Sequence, residues 1–368
     1  MQNYALKTVI SSLGFDVVNL RNFAGHNHRP VIAVLKSAVK HVLAALGVKK
    51  YRKQFKLRDW MKLREQKFRS FYERYNSKEL CLSVDDVLKP GNKELWDRYI
   101  YVVVGSDMVW GHFGFNCTAK FLQYYYLTFV GREKRVCYAP SFGRSEFTFE
   151  FPELRKEYTA GFDRISCREK HGCETIKRVT GFDAVHVLDP TMLLKAEDYR
   201  VLERKPSYEV PEHYALVYIL SMEVSYARKC EYRQVVKHAS RGLPMINIPL
   251  VGALGVDTEG FSADMFTSTG PEEFLWLVNH ADIVLTNSFH GTVFSILFKK
   301  SFISLHRPDS SDIDKVEDIL LSLGLSSRMY RNDGIIPSPE IDYSSVYEKL
   351  EPLRKSSMQY LKDCLHVN

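Results

Sequence analysis

Short apolar runs and amphipathic stretches alternate along almost the whole chain, and this alternation narrows the fold more than any other feature. Strand-like runs are readable at 16–20, 100–104, 135–139, 185–188, 214–220, 245–248, 283–285 and 302–305, with helical patterns between them. Strands separated by helices predict an α/β fold of parallel sheets, since a parallel pair needs a crossover long enough to hold a helix. A length of 368 residues is long for one core, and a hydrophobic content of 45% can fill two. The polar, proline-bracketed stretch 195–211 reads as a linker, so we expect an N-terminal domain over 1–195 and a C-terminal domain over 196–368. The last helix is expected to pack back on the first domain. Two doubly wound domains facing one another leave a cleft at their strand ends, where ligands of such folds bind.

One segment of the second half carries the chemistry. Ala281-Asp282-Ile283-Val284-Leu285-Thr286-Asn287-Ser288-Phe289-His290-Gly291-Thr292 reads as a strand, a polar turn and the start of a helix. The helix expected over 292–298 leads to a further strand at 302–305 and completes a strand, helix, strand unit. The preceding helix is announced by Gly270-Pro271-Glu272-Glu273, with proline at its first position and acids in its first turn. Amides at a helix N-terminus face outward with partial positive charge, so an anion can dock beside His290, which can give or take a proton.

The formal charge of +7 also favours anionic company. Between Lys49 and Arg69 the chain carries ten Lys or Arg against Asp59 and Glu65, interleaved with Phe55, Trp60, Met61, Leu63 and Phe68. Such a helix could lie on an anionic membrane or attract a polyphosphate, but a solvated helix with apolar residues packed inward is the favoured reading. Nucleic acid is not expected, because no binding motif accompanies the charge. Seven scattered cysteines, the absence of a secretory signal and the absence of a long apolar run suggest a soluble, cytoplasmic protein with reduced thiols, with peripheral contact at the inner face of the cell membrane as an extension. Cys167, His171 and Cys173 lack the spacing of a structural zinc knuckle, and His26 and His28 sit in a polar loop, so no metal is expected.

Five phrases in register resemble the polysaccharide pyruvyl transferase family: Val104-Gly105-Ser106-Asp107-Met108-Val109-Trp110, Tyr138-Ala139-Pro140-Ser141-Phe142-Gly143, Ser166-Cys167-Arg168-Glu169-Lys170, Leu188-Asp189-Pro190-Thr191 and Asn287-Ser288-Phe289-His290-Gly291. The resemblance covers roughly residues 3 to 330. It implies two Rossmann-like domains in a glycosyltransferase-B-like arrangement. It also implies transfer of a pyruvate ketal from phosphoenolpyruvate, the donor substrate, to hydroxyls of a sugar in a surface polysaccharide or on a lipid-linked oligosaccharide, with no cofactor. Such a reaction needs cationic donors for the carboxylate and phosphate, a proton for the methylene carbon, and a grip on the sugar hydroxyls.

By this resemblance His290 is the general acid or a donor to the departing phosphate, and Arg168 offers a planar fork to the donor's anionic groups. Ser288, Phe289 and Gly291 accompany the histidine, Ser106 and Asp107 orient acceptor hydroxyls or hold their own loop, and Ser141 lines the cleft. Trp110 is expected in the core, and Asp189-Pro190 as a structural turn. The chain departs from the pattern where many members have arginine two residues before the histidine: Ser288 stands there, so a cation is expected from elsewhere, such as Arg307. Near Ser311 an expected arginine is replaced by Asp312. The start, Asn3-Tyr4-Ala5-Leu6, resembles the family's first helix, so the preceding strand and its loop are expected to be missing, through truncation or degeneration. Two alternatives stay open: a nucleotide-sugar glycosyltransferase of the same architecture, and a non-catalytic member that binds glycan or lipid carrier.

Overall fold

The computed structural model describes residues 1–22, 48–76, 78–111, 118–142, 150–220, 226–248, 263–305, 315–331, 334–338 and 340–367. The N-terminal part begins with α1 (Gln2–Ser12), β1 (Asn19–Asn22), α2 (Lys49–Tyr75) and β2 (Glu79–Leu82). It continues through β3 (Val102–Gly105), β4 (Arg135–Tyr138), β5 (Ser166–Cys167), α3 (Lys170–Thr180) and β6 (Val185–His186). The C-terminal part contains β7 (Ala215–Tyr218), β8 (Met245–Asn247), α4 (Pro271–His280), β9 (Ile283–Thr286), α5 (Phe289–Leu297) and β10 (Ser301–Leu305). It closes with α6 (Lys315–Ser322), β11 (Met329–Tyr330) and α7 (Tyr343–Cys364). Shorter helices fill the connections.

Every strand pair among the described residues is parallel, as the alternation requires. The C-terminal strands form one five-stranded sheet in the order β11-β10-β9-β7-β8. Central β9 is buried at all four positions, the mark of a parallel strand covered on both faces. The N-terminal strands lie in the pairs β1-β2, β3-β4 and β5-β6. Between the first two pairs lies a cavity of about 630 Å³ lined by Leu20, Val102 and Gly105 with Leu6 and Ile10 of α1. Strands β2, β5 and β11 escaped the sequence reading; the last two have only two residues each, too short for any periodicity.

Helix α5 starts earlier than the expected position 292, at Phe289, because Ser288 caps it, its Oγ accepting from the Gly291 amide at 3.4 Å. His290 is therefore in the first helical turn. Helix α2 bridges the two parts through ion pairs from Lys67 to Glu273 (2.7 Å) and from Arg74 to Glu272 (2.5 Å). It buries Phe71 and Arg64 yet leaves Leu63 and Phe68 about half exposed, so it is only partly the inward-packed helix expected.

Helix α7 binds both parts too. Tyr360 Oη donates to the Cys137 carbonyl at 3.1 Å and Ser357 Oγ accepts from the Leu188 amide at 2.9 Å, while Tyr343 Oη and Tyr347 Oη donate to the carbonyls of Lys300 (2.5 Å) and Leu297 (3.0 Å). No helix among the described residues is long and apolar enough to cross a membrane.

Candidate active site

The carboxylate of Asp189 is the hub of the region where the two parts meet. Its Oδ1 accepts from the amide (3.0 Å) and hydroxyl (2.6 Å) of Thr191, which is the turn the sequence suggested. Its Oδ2 receives Ser106 Oγ (2.8 Å), Gln2 Nε2 (2.8 Å) and Arg168 Nη1 (3.0 Å). Burial by itself would raise the Asp189 carboxyl, but neighbouring His290, Arg168 and the Thr191 hydroxyl hold it well below the ordinary carboxylate range. Nothing local to Leu188-Asp189-Pro190-Thr191 reveals this convergence, because the partners Gln2, Ser106 and Arg168 lie far along the chain.

Arg168 lies beneath the site. Its Nε donates to Glu169 Oε1 (2.9 Å), its Nη2 to Ser141 Oγ (3.0 Å), and its guanidinium rests 4.4 Å above the Phe289 ring. With a side chain 2% exposed and each of its nitrogens on an internal acceptor, it is built to hold the scaffold, and the direct grip on an anion expected of it is not offered. Ser141, expected on the cleft wall, is fully buried and donates to Glu169 at 2.6 Å.

The turn after β3 places Ser106 and Asp107 in left-handed backbone (φ 29° and 67°), a region few non-glycine residues occupy and Asp tolerates better than most. The Asp107 carbonyl braces the turn by accepting from Ser141 N at 2.9 Å, while its Oδ1 accepts from the Met108 amide at 2.9 Å. Of the two uses expected for this pair, holding the loop is what these bonds provide; Ser106 in addition donates to Asp189, and Asp107 lines an open cavity.

That cavity, about 520 Å³, is lined by His290 and Phe294 of α5, Asp107, Tyr218, and Arg64 and Arg69 of α2. His290 Nε2 is buried, lies 3.8 Å from Asp189 Oδ2 and has no hydrogen-bond partner. The ring stands edge-on to Phe289 with centroids 5.3 Å apart, and its side chain is 31% exposed. Ser288, Phe289 and Gly291 do not line the cavity; they fix the turn that carries His290. At Gly291 an added Cβ would come 2.4 Å from Thr286 Oγ1, which already donates to the Tyr218 carbonyl at 2.6 Å. Only glycine lets α5 approach β9 this closely. Arg307, Ser311, Asp312 and Gly143 lie outside the described residues, as do His26 and His28. His171 is engaged elsewhere, with Nδ1 3.2 Å from Asp318 Oδ2.

The sequence profile of the family described as polysaccharide pyruvyl transferase matches residues 2–307. The class is accordingly that of the glycan-modifying transferases. More narrowly, the chain belongs to the polysaccharide pyruvyl transferase family. Among solved structures it is similar to the UDP-GlcNAc 2-epimerase of Methanocaldococcus jannaschii, with 12% identity, a TM-score of 0.44, and coverage of 80% of this chain and 87% of that one. It is also similar to the wall teichoic acid polymerase TagF, with 12% identity, a TM-score of 0.30, and coverage of 87% and 93%. No curated protein matches it significantly.

Proposed function

We propose that this protein transfers a pyruvate ketal from phosphoenolpyruvate to two hydroxyls of a sugar in a polysaccharide or its precursor. One observation carries the proposal: in a chain of this family, an imidazole with an unpartnered buried nitrogen stands beside a low-pKa carboxylate, on the wall of an open cavity that also carries arginines. Nε2 faces Asp189 across 3.8 Å, so Asp189 can hold the ring in place and balance the imidazolium, while the exposed part of the side chain is available to the substrate.

His290 protonates the methylene carbon, which becomes a methyl group, and C2 gains the cationic character that a sugar hydroxyl attacks. A second hydroxyl then displaces phosphate, closing the ketal; the proton of one hydroxyl restores His290 and that of the other leaves with phosphate. Asp107, at the cavity wall, is placed to accept a hydrogen bond from a sugar hydroxyl and orient it. Arg168 acts as a positioning residue, holding Asp189 from behind.

Incubation with phosphoenolpyruvate and a panel of synthetic glycosides should release phosphate and give an acid-labile mass gain on the sugar. His290→Ala should lose about 10²- to 10⁴-fold in turnover, the usual contribution of a positioned acid, with an unchanged far-UV spectrum. Turnover at the wild-type level in this variant, or nucleotide release from a nucleotide sugar in place of phosphate release, would overturn the assignment.

A further inference from the structure

We infer that the face of α2 closing the His290 cavity is a phosphate-binding wall, with Arg64 as its buried fork and Arg69 at its rim. The inference rests on the reading above that this cavity is the reaction site, and it adds where the phosphate monoester sits. Helix α2 contributes Arg64, Glu65, Phe68, Arg69, Phe71 and Tyr72 to the cavity, with Asn76 as its cap, a spacing that repeats about every turn and so presents one continuous face. His290 and Asp107 line the same cavity.

Among the described residues, the arginines that line this cavity are Arg64 and Arg69 of α2 and Arg21 of β1. At the turn that carries the histidine, position 288 is a serine whose hydroxyl caps α5, so it brings no charge. Arg168 does not line the cavity and is held by Glu169, Asp189 and Ser141. Arg64 is 5% exposed and lies with its guanidinium 5.8 Å from the Phe68 ring, an arrangement that fixes the fork's plane. Burial holds this guanidinium below its ordinary pKa, opposed by the Tyr218 and Tyr208 phenols. Arg21 of β1 also reaches the cavity, stacked 5.3 Å over Tyr72, with Glu79 at 3.5 Å as its partner. The carboxylates on the same lining are Glu65 and Asp107, and a phosphate is expected to seat away from Asp107. Fork-shaped, charge-assisted bonds to phosphate are the strongest polar contacts such a wall can make.

The phosphate could belong to phosphoenolpyruvate or to a phosphate-linked sugar acceptor, and binding measured without turnover separates the two. Calorimetric titrations of the full chain would use phosphoenolpyruvate, pyruvate as its phosphate-free counterpart, and glucose 1-phosphate. For wild type and the variants Arg64→Lys, Arg64→Gln and Arg69→Gln, we expect Arg64→Gln to weaken the phosphate-bearing ligand about tenfold or more, in keeping with the loss of a bidentate charged contact. Arg64→Lys should recover only part of this, because a point charge replaces a fork. Arg69→Gln, at an exposed position, tests the wall even where the buried variant fails to fold.

Pyruvate binding should not respond to any of these changes. Dependence seen with phosphoenolpyruvate places the donor's phosphate on α2. If only glucose 1-phosphate binds, and does so through Arg64, the wall stands and the donor reading falls. If Arg64→Lys and Arg69→Gln both bind both phosphate ligands as tightly as wild type does, the inference is wrong.

Discussion

Two polar assemblies meet at Asp189, and they differ in what they leave over. On the Arg168 side the guanidinium, Glu169, Ser141, Ser106 and Gln2 are mutually satisfied and nearly all buried. On the His290 side, 3.8 Å away, an imidazole nitrogen has no hydrogen bond and a cavity opens beside it. The first assembly has no capacity to react, because a donor already bonded cannot bind a substrate without breaking the contact that orders it. The second has the capacity but needs the first to hold it in place. A charged residue in a family phrase therefore says where a site is, and its unsatisfied neighbours say what the site does.

Removing the charge from the satisfied assembly should produce the largest loss of stability. Arg168→Met leaves the Asp189 and Glu169 carboxylates buried at 1% exposure without their shared cation, and breaking a buried pair of this kind typically costs about 3–5 kcal/mol. Denaturant unfolding should show that loss, whereas His290→Ala should shift stability far less while removing turnover. If Arg168→Met is as stable as wild type and loses only phosphoenolpyruvate affinity, the contrast between the two assemblies breaks and Arg168 becomes a ligand.

The next effect is steric and falls on the turn that aims His290. Gly291→Ala brings a methyl group within 2.4 Å of Thr286 Oγ1 in a fully buried, hydrogen-bonded position, so α5 must shift away from β9. Overpacking of this kind costs about 1–3 kcal/mol. The same shift moves His290 relative to Asp189, so activity should fall by more than stability alone explains. Wild-type kinetics together with a wild-type unfolding midpoint would show that the close approach of α5 to β9 does not matter.

Much of this was legible beforehand, and the gaps have physical reasons. Strands β7, β9 and β10 and the start of α4 were readable because buried parallel strands are runs of apolar residues and because Pro271 with two acids marks a helix start. His290 was readable from its turn. Arg168 was not readable as scaffold, because its acceptors Ser141 and Asp189 are 27 and 21 residues away and only the tertiary fold makes them neighbours. Ser288 is a helix cap where the family comparison suggests a replaced ligand; a serine before a helix start carries that signal, but a helix expected from 292 places it too far upstream to show it. Arg64 is not distinguishable within its basic stretch by residue type; its burial sets it apart from Lys62, Lys67 and Arg69.

The smallest effect compares two histidines. His171 is satisfied where His290 is not: its Nδ1 sits 3.2 Å from Asp318 of α6, whose carboxylate also accepts the Lys170 amide at 2.7 Å, and the pair ties α3 to the C-terminal part. Burial would lower the His171 pKa, but the hydrogen bond to Asp318 and the charges of Glu169, Asp318 and Glu174 raise it above the ordinary 6.5. A histidine raised on folding stabilises fully below its unfolded value and loses that contribution as the pH rises through its folded value. Asp318 is lowered from 3.8, against burial, chiefly by His171, so its contribution is present above that value and is lost as the pH falls through the depressed one. The pair should therefore help most between 3.8 and 6.5. Melting temperatures of wild type and His171→Gln across that window and beyond it should converge as the solution becomes alkaline, and a gap that stays constant with pH would mean that packing alone, and no ion pair, holds α3 to α6.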